Sequence, residues 1–217
     1  MSANQLDLYN GALRIAGERK LASLSESREA RFLLDDAWGD GGVIAVNYLL
    51  EQGLWHFAKR SSRFDADPNF KPFFGYRQRF EKPIDWVRTA AVAEDEYFEV
   101  PLTRVSDEAG SWFADWTPIY VMYISNDPAY GGNLGAWPAT FAYAMEAYLA
   151  LRIAPKLTTS KDKIEAIEKE YRRLLTDARS KAAMSESAAF LPTGTWVRGR
   201  LGSRSTLDRG NPNALIG

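Results

Sequence analysis

Apolar residues recur at helical spacing near both ends of the chain and break into short alternating runs between them. Tyr9, Leu13 and Ala16 fall near one face of a helix over 6–17, and Gly17 offers a stop. In the next segment Ser23 and Glu26 stand at capping-box spacing, with Ser25 and Ser27 as competing caps. Phe32, Leu33 and Ala37 then recur at helical spacing. Val43, Val46, Tyr48, Leu49 and Leu50 continue an apolar helical pattern to Gly53. Between these runs sits Gly39-Asp40-Gly41-Gly42. Three glycines cost a helix interior roughly 2–3 kcal/mol relative to alanine. The segment reads as a helix–helix corner or as a long helix held despite its glycines. A phosphate loop needs a following Lys-Ser/Thr and a preceding strand, and neither is present.

From Trp55 to Asn126 prolines, glycines and aromatics punctuate short runs. Strands are expected over 74–80, 85–92, 97–100, 102–105 and 119–124, with a turn at 107–110. No helical stretch separates them, so parallel crossovers are excluded and a small antiparallel sheet or barrel is expected.

Asn126-Asp127-Pro128 closes this region. A second helical pattern opens at Pro138, carries Phe141, Met145, Tyr148 and Leu149, and is expected to end at Pro155. Thr159 or Ser160 then caps a long amphipathic helix with Ile164, Ile167, Tyr171, Leu174, Leu175 and Ala178 on its apolar side. Glu165–Lys169 and Glu168–Arg172 are spaced to pair on its wet side. After residue 189 periodicity fades. The chain is therefore read as an α+β protein: a helical bundle formed by both ends of the chain (1–54 and 129–189), an inserted antiparallel β module (55–128), and an extended C-terminal arm (190–217).

Composition narrows the chemistry. The chain has 217 residues, 46% hydrophobic and 25% charged, which fits a folded protein rather than a disordered one. It has no cysteine and one histidine, His56. Disulfides, thiolate nucleophiles, cysteine-ligated zinc and HExxH arrangements are thereby excluded within one chain. No catalytic, cofactor or metal residue is assigned. His56, in Leu54-Trp55-His56-Phe57, lacks a linear partner motif and reads as packed or interfacial. The N-terminus has no basic region followed by an apolar run, and 136–154 is too mixed for a membrane span. The net charge of −1 does not draw a polyanion to the whole surface.

The acidic neighbours Asp35–Asp36, Glu94–Asp95–Glu96 and Asp107–Glu108 read as solvated faces and turns. Aromatics crowd two stretches: Trp55, Phe57, Phe70, Phe73, Phe74, Tyr76 and Phe80, then Trp112, Phe113 and Trp116. They suit core and interfaces. Base stacking would need a basic groove beside them, for which Lys59, Arg60, Arg63, Lys71, Arg77 and Arg79 are the candidates. The arm carries Phe190, Leu191, Trp196, Leu207, Leu215 and Ile216 with Arg198, Arg200, Arg204 and Arg209, a composition suited to lying across another protein.

These elements occur in an order that resembles the tail tubular protein A family, the head-to-tail adaptors of short-tailed phages. The opening matches in Asn10, Ala12, Leu13, Gly17, Ser23, Leu24 and Ser27. A Leu/Trp-x-Phe-Ala element is matched by Leu50, Trp55, Phe57 and Ala58. The strand entry is matched by Phe74, Gly75, Tyr76, Pro83, Asp85, Trp86 and Arg88, and the Tyr-Ile…Asp-Pro element by Tyr123, Ile124, Asp127 and Pro128. Pro155, Leu157, Thr158, and later Thr195, Trp196 and Arg198 to Arg200, complete the series. Gly39 to Gly42 and the apolar stretch after Arg200 depart from it.

The resemblance implies a structural protein rather than an enzyme, placed in the virion at the head–tail junction after synthesis in the host cytoplasm. It implies a twelve-subunit ring below the portal protein, with the bundle building the ring and the β module facing the tail nozzle protein. Residues 190–217 would climb onto the portal, and genomic DNA would pass through the lumen without sequence-specific contacts. Two other readings stand beside it: a virion glycan or peptidoglycan hydrolase using paired carboxylates, and a DNA-binding accessory module.

Overall fold

The computed structural model describes residues 4–185. Five helices and six strands form an α+β fold in which the helices from both ends of the chain pack together and a small antiparallel β insertion follows from them. The first helix, α1 (Gln5–Ala16), is capped by Asn4, whose side chain accepts from the Asp7 N–H. It ends at Gly17, as the pattern predicts, with Leu8, Tyr9, Ala12, Leu13 and Ala16 buried. Gly11 in this helix lies against the fourth helix. A Cβ there would sit 2.0 Å from the Glu146 carboxyl carbon, so any larger residue must displace that side chain.

The second helix, α2 (Glu29–Trp38), starts later than the capping box predicts. The Glu26 carboxylate accepts from the Ala22 N–H and Ser23 bonds Ser25, so both residues close a loop instead. Its buried face is Ala30, Leu34, Ala37 and Trp38, and Phe32 is exposed. The glycine segment is a true break. Gly39, Asp40, Gly41 and Gly42 all have positive φ, forming a tight 3₁₀ corner before α3 (Val43–Glu51). A Cβ at Gly42 would meet the Trp38 indole at 2.5 Å.

The fourth helix, α4 (Ala139–Leu157), is buried on several sides, as its all-round apolar pattern predicts. Pro138 caps it rather than entering it, and Pro155 sits inside its last turn instead of ending it. The last helix, α5 (Lys161–Met184), buries Ile167, Tyr171, Leu175 and Ala178, and Glu168 pairs with Arg172 on its outer side. One core joins all five helices.

The β module holds two three-stranded antiparallel sheets. In the first, β1 (Lys59–Phe64) and β3 (Trp86–Ala93) flank β6 (Ile119–Ser125). In the second, β2 (Gln78–Glu81) and β4 (Val105–Glu108) flank β5 (Ser111–Ala114). Phe80, Trp112, Ala114, Ile119, Val121 and Tyr123 form a separate small core between them.

Three strand expectations change. The 97–100 run is not a strand: the Asp95 carboxylate accepts from the N–H groups of Tyr97, Glu99 and Val100 and winds it into a loop. The strand expected at 102–105 lies at 105–108 and absorbs Asp107 and Glu108, leaving the turn at Ala109-Gly110. Only Gln78 to Phe80 of the 74–80 run enters β2. Strands β1 and β5 are additional elements.

Registers fix the ends of the module. Gln78, Ala114 and Val105 lie level in one sheet, and Phe64 pairs with Ile119 in the other. The loops 65–77, 94–104 and 115–118 therefore share one end, the tip. Lys59, Trp86 and Ser125 lie at the opposite end, beside the helices.

Candidate functional site

Among the described residues, Trp55, His56 and Phe57 line one shallow cavity with Phe141 and Lys181, and the other candidates lie apart from it. The exposed and polar positions fall into a structural junction, a tip of the β module and a helical surface on α2 and α3, each with different chemistry.

At the junction, Asp85 is 9% exposed. Its carboxylate accepts from Arg60 Nη1 at 2.9 Å, from the Ser125 hydroxyl, and from the Tyr123 hydroxyl at 3.3 Å. Burial pushes this carboxyl up, but the Ser125 and Arg60 hydrogen bonds and the Arg60 charge outweigh it and hold Asp85 below its ordinary 3.8. Burial and the neighbouring carboxylate push the Tyr123 phenol up to about 12. The Asp85 carbonyl accepts from Asn126, and Asn126 donates to Asn47 on α3. The junction thus ties strands to helices. Pro83 starts the turn into it, its carbonyl accepting from Trp86, whose indole donates to Thr89. Asp127 accepts from Ala129 in the turn that leaves it, with Pro128 exposed. Trp55 is buried, donates to the Leu49 carbonyl at 3.0 Å and meets Phe141 edge-on, as does Phe57.

Other matched positions are also structural. Asn10 brackets Leu21, accepting from its N–H at 2.7 Å and donating to its carbonyl at 3.2 Å. Leu13 is core, and Ser27 is exposed just before α2. His56 is exposed rather than packed in the core, edge-on to Phe57.

The tip is where the aromatic stretches part company. Phe80 and Trp112 are core, but Phe73 and Phe74 are 97% and 90% exposed, and Tyr97, Val100 and Trp116 are exposed as well. The loops are braced: Arg104 donates to the Gly75 carbonyl and pairs with Asp115, which also accepts from the Arg77 N–H. Tyr76 lies beneath the Arg104 guanidinium. These loops carry Asp65, Asp67, Glu94, Asp95, Glu96, Glu99 and Asp115 against Lys71, Arg77 and Arg104, so the tip is acidic as well as aromatic.

Three of the six bases expected to form a groove beside the aromatics are held by partners within the module. Arg60 is taken by Asp85, Arg63 by Asp65, and Arg79 by Ser111 and the Phe70 ring. A second exposed apolar set lies on α2 and α3: Phe32, Val43, Ile44 and Tyr48.

The acidic pairs do not face each other as a catalytic dyad. Asp35 accepts from Tyr9 and Arg31, Asp95 organises its own loop, and Asp107 binds Lys82 and Thr89. Among the described residues no group of three or more His, Asp or Glu side chains is placed to hold a metal ion. Among them, too, no helix is long and apolar enough to cross a membrane. The arm residues Phe190, Leu191, Trp196, Arg198, Arg200, Arg204, Leu207, Arg209, Leu215 and Ile216 lie outside the described residues.

No protein-family model matches the chain, and no curated protein matches it.

Proposed function

We propose that the protein is a structural head-to-tail adaptor of a short-tailed phage, assembling as a twelve-subunit ring between the portal protein and the tail nozzle protein. The ring would extend the DNA channel and serve as a platform for tail assembly, with residues 190–217 as its portal-docking arm. The observation that carries the reading is the pair of separate exposed apolar surfaces on one chain, Phe32, Val43, Ile44 and Tyr48 on the helices and Phe73, Phe74 and Trp116 at the tip. Monomers rarely leave such side chains in clusters without a partner. A closed ring with different neighbours above and below needs distinct faces on each subunit. The order of sequence elements resembling the adaptor family supplies the identity of those neighbours.

The test is the mass of the full chain alone and mixed with the cognate portal protein, by native mass spectrometry. A portal-dependent step to a closed ring supports the adaptor, and its loss on replacing Trp196, Leu215 and Ile216 with serine supports the arm. A chain that stays monomeric and leaves the portal untouched overturns the reading.

A further inference from the structure

The end of the helical body where α1 and α4 finish and α5 begins gathers charge from three distant stretches of sequence. Gly11 of α1 lies against Glu146 of α4, and Gly17, six residues on, lies 3.2 Å by its would-be Cβ from Lys163 Nζ at the start of α5. The two helices therefore run the same way, and α1 finishes beside the Lys163 side chain of α5. Arg19 and Lys20 follow α1, Arg152 and Lys156 stand in the last turns of α4, and Lys161 and Lys163 open α5. All six are exposed. None forms an ion pair with a carboxylate among the described residues. Elsewhere the bases are mostly engaged: Arg60 with Asp85, Lys82 with Asp107, Arg104 with Asp115, and Arg172 with Glu168. The acids on the same stretches are Glu18, Glu26, Asp162 and Glu165, and Glu26 is paired with Arg28.

A second feature lies in the same place. The N-terminus of α5, a helix of 24 residues, has no side-chain cap: Ser160 makes no capping bond. The first amide groups of this helix point outward with the positive end of its dipole, among the six free bases. This arrangement suits phosphate oxygens, which accept from backbone N–H groups and from Lys and Arg at once.

We propose that this end of the helical body binds the phosphate backbone of double-stranded DNA without reading its sequence, one phosphate seating at the α5 N-terminus and its neighbours on Lys156, Lys161 and Lys163. The surface chemistry selects this occupant. Protein docking draws on clustered aromatic or aliphatic anchors, and these stretches expose a single large one, Leu24. Single-stranded nucleic acid is held by aromatic stacking, and the exposed aromatics are on α2, α3, α4 and the β-module loops instead. Base readout needs an element that enters a groove and presents side chains to base edges, whereas cationic side chains ringed around a helix end reach phosphates. The site requires no ring, so it stands apart from the adaptor reading. A ring would repeat it around the channel.

The experiment is fluorescence anisotropy of a labelled random-sequence DNA duplex of about 20 base pairs, titrated with the full chain at several salt concentrations. Micromolar binding at low salt is expected, with log K falling against log salt at a slope of about −3 to −5. Lys156→Glu, Lys161→Glu and Lys163→Glu together should weaken binding at least tenfold and flatten the slope by about 3, with the helical circular dichroism unchanged. Asp162→Lys should tighten binding. Replacing Arg198, Arg200, Arg204 and Arg209 with alanine should leave most of the affinity in place. The proposal is overturned if the wild-type chain does not bind duplex at low salt. It is overturned equally if the triple variant binds as wild type, if the arm variant abolishes binding, or if a single strand of the same length binds more tightly.

Discussion

Asp85 in the β module and Glu146 in the helical body are equally little exposed, at 9% and 8%, and each has one arginine at salt-bridge distance. Their fates are opposite. Asp85 also receives the Ser125 and Tyr123 hydroxyls, and stays ionised below its ordinary range. Glu146 has only Arg14 as its charged partner, itself largely exposed, and sits in the notch left by Gly11. Burial pushes its carboxyl above the ordinary 4.5, with Arg14 opposing. Equal exposure at the surface does not fix the charge of a carboxylate: Glu146 lies deeper among packed atoms and receives fewer donors, and both differences favour its neutral form. The two regions also differ in mass of core. The helices share one extensive apolar interior, while the module rests on six buried residues and its polar junction.

The largest effect that sharpens this contrast is Trp112→Ala, which removes the biggest side chain of the small core. It should cost about 3–5 kcal/mol. Hydrogen exchange should show amides of β2, β4 and β5 losing protection while those of α4 and α5 keep theirs. Equal loss in both regions would break the contrast.

Asp85→Asn comes next. It leaves Arg60 without its carboxylate, and should cost about 2 kcal/mol, moderated because Arg60 is about one-third exposed. Chemical denaturation would measure it.

Glu146→Gln should change stability by no more than about 1 kcal/mol at neutral pH, because an amide oxygen still accepts from Arg14. Its signature is the pH profile. The raised carboxyl of Glu146 contributes stability that is full below 4.5 and lost as pH rises through its folded value. The lowered carboxyl of Asp85 contributes stability that is full above 3.8 and lost as pH falls through its folded value. Thermal melts of wild type should therefore gain stability on mild acidification from neutral pH and lose it in strong acid. The Glu146→Gln variant should lack the first change and retain the second.

Phe74→Ala is the smallest, within about 0.5 kcal/mol, since the ring is 90% exposed. A larger drop in melting temperature would mean the tip aromatics support the module instead of standing free for a partner.

The helical half was readable because its signals are local. Tyr9, Leu13 and Ala16, and Ile167, Tyr171, Leu175 and Ala178, recur at one period and are buried as that period predicts. Strand β1 escaped because Lys59 to Phe64 is charged and hydroxyl up to its last residue and shows no apolar alternation, and Arg60 is held by a carboxylate 25 positions away. Strand β5 is four residues long and reads as an aromatic cluster. The Tyr97–Val100 stretch has strand-forming residues, yet one aspartate side chain supplies the acceptors that a neighbouring strand would have offered. The exposed tip was half legible: the aromatic crowding is plain in sequence, but which rings face water depends on strand register. The helical end was invisible, since its bases come from stretches more than 130 residues apart.

Asn10 and Gly11 form the dipeptide most prone to spontaneous deamidation, in which the glycine nitrogen attacks the asparagine side chain to give a cyclic imide. Here the attacking nitrogen belongs to the interior of α1, and the side-chain amide is clamped on Leu21. The ring cannot close while the helix is wound. Conversion at this position would add a carboxylate facing the Leu21 carbonyl it once donated to, and it can begin only in molecules that have opened there. Mass spectrometry of stored protein would therefore record, one dalton at a time, how often this helix has come undone.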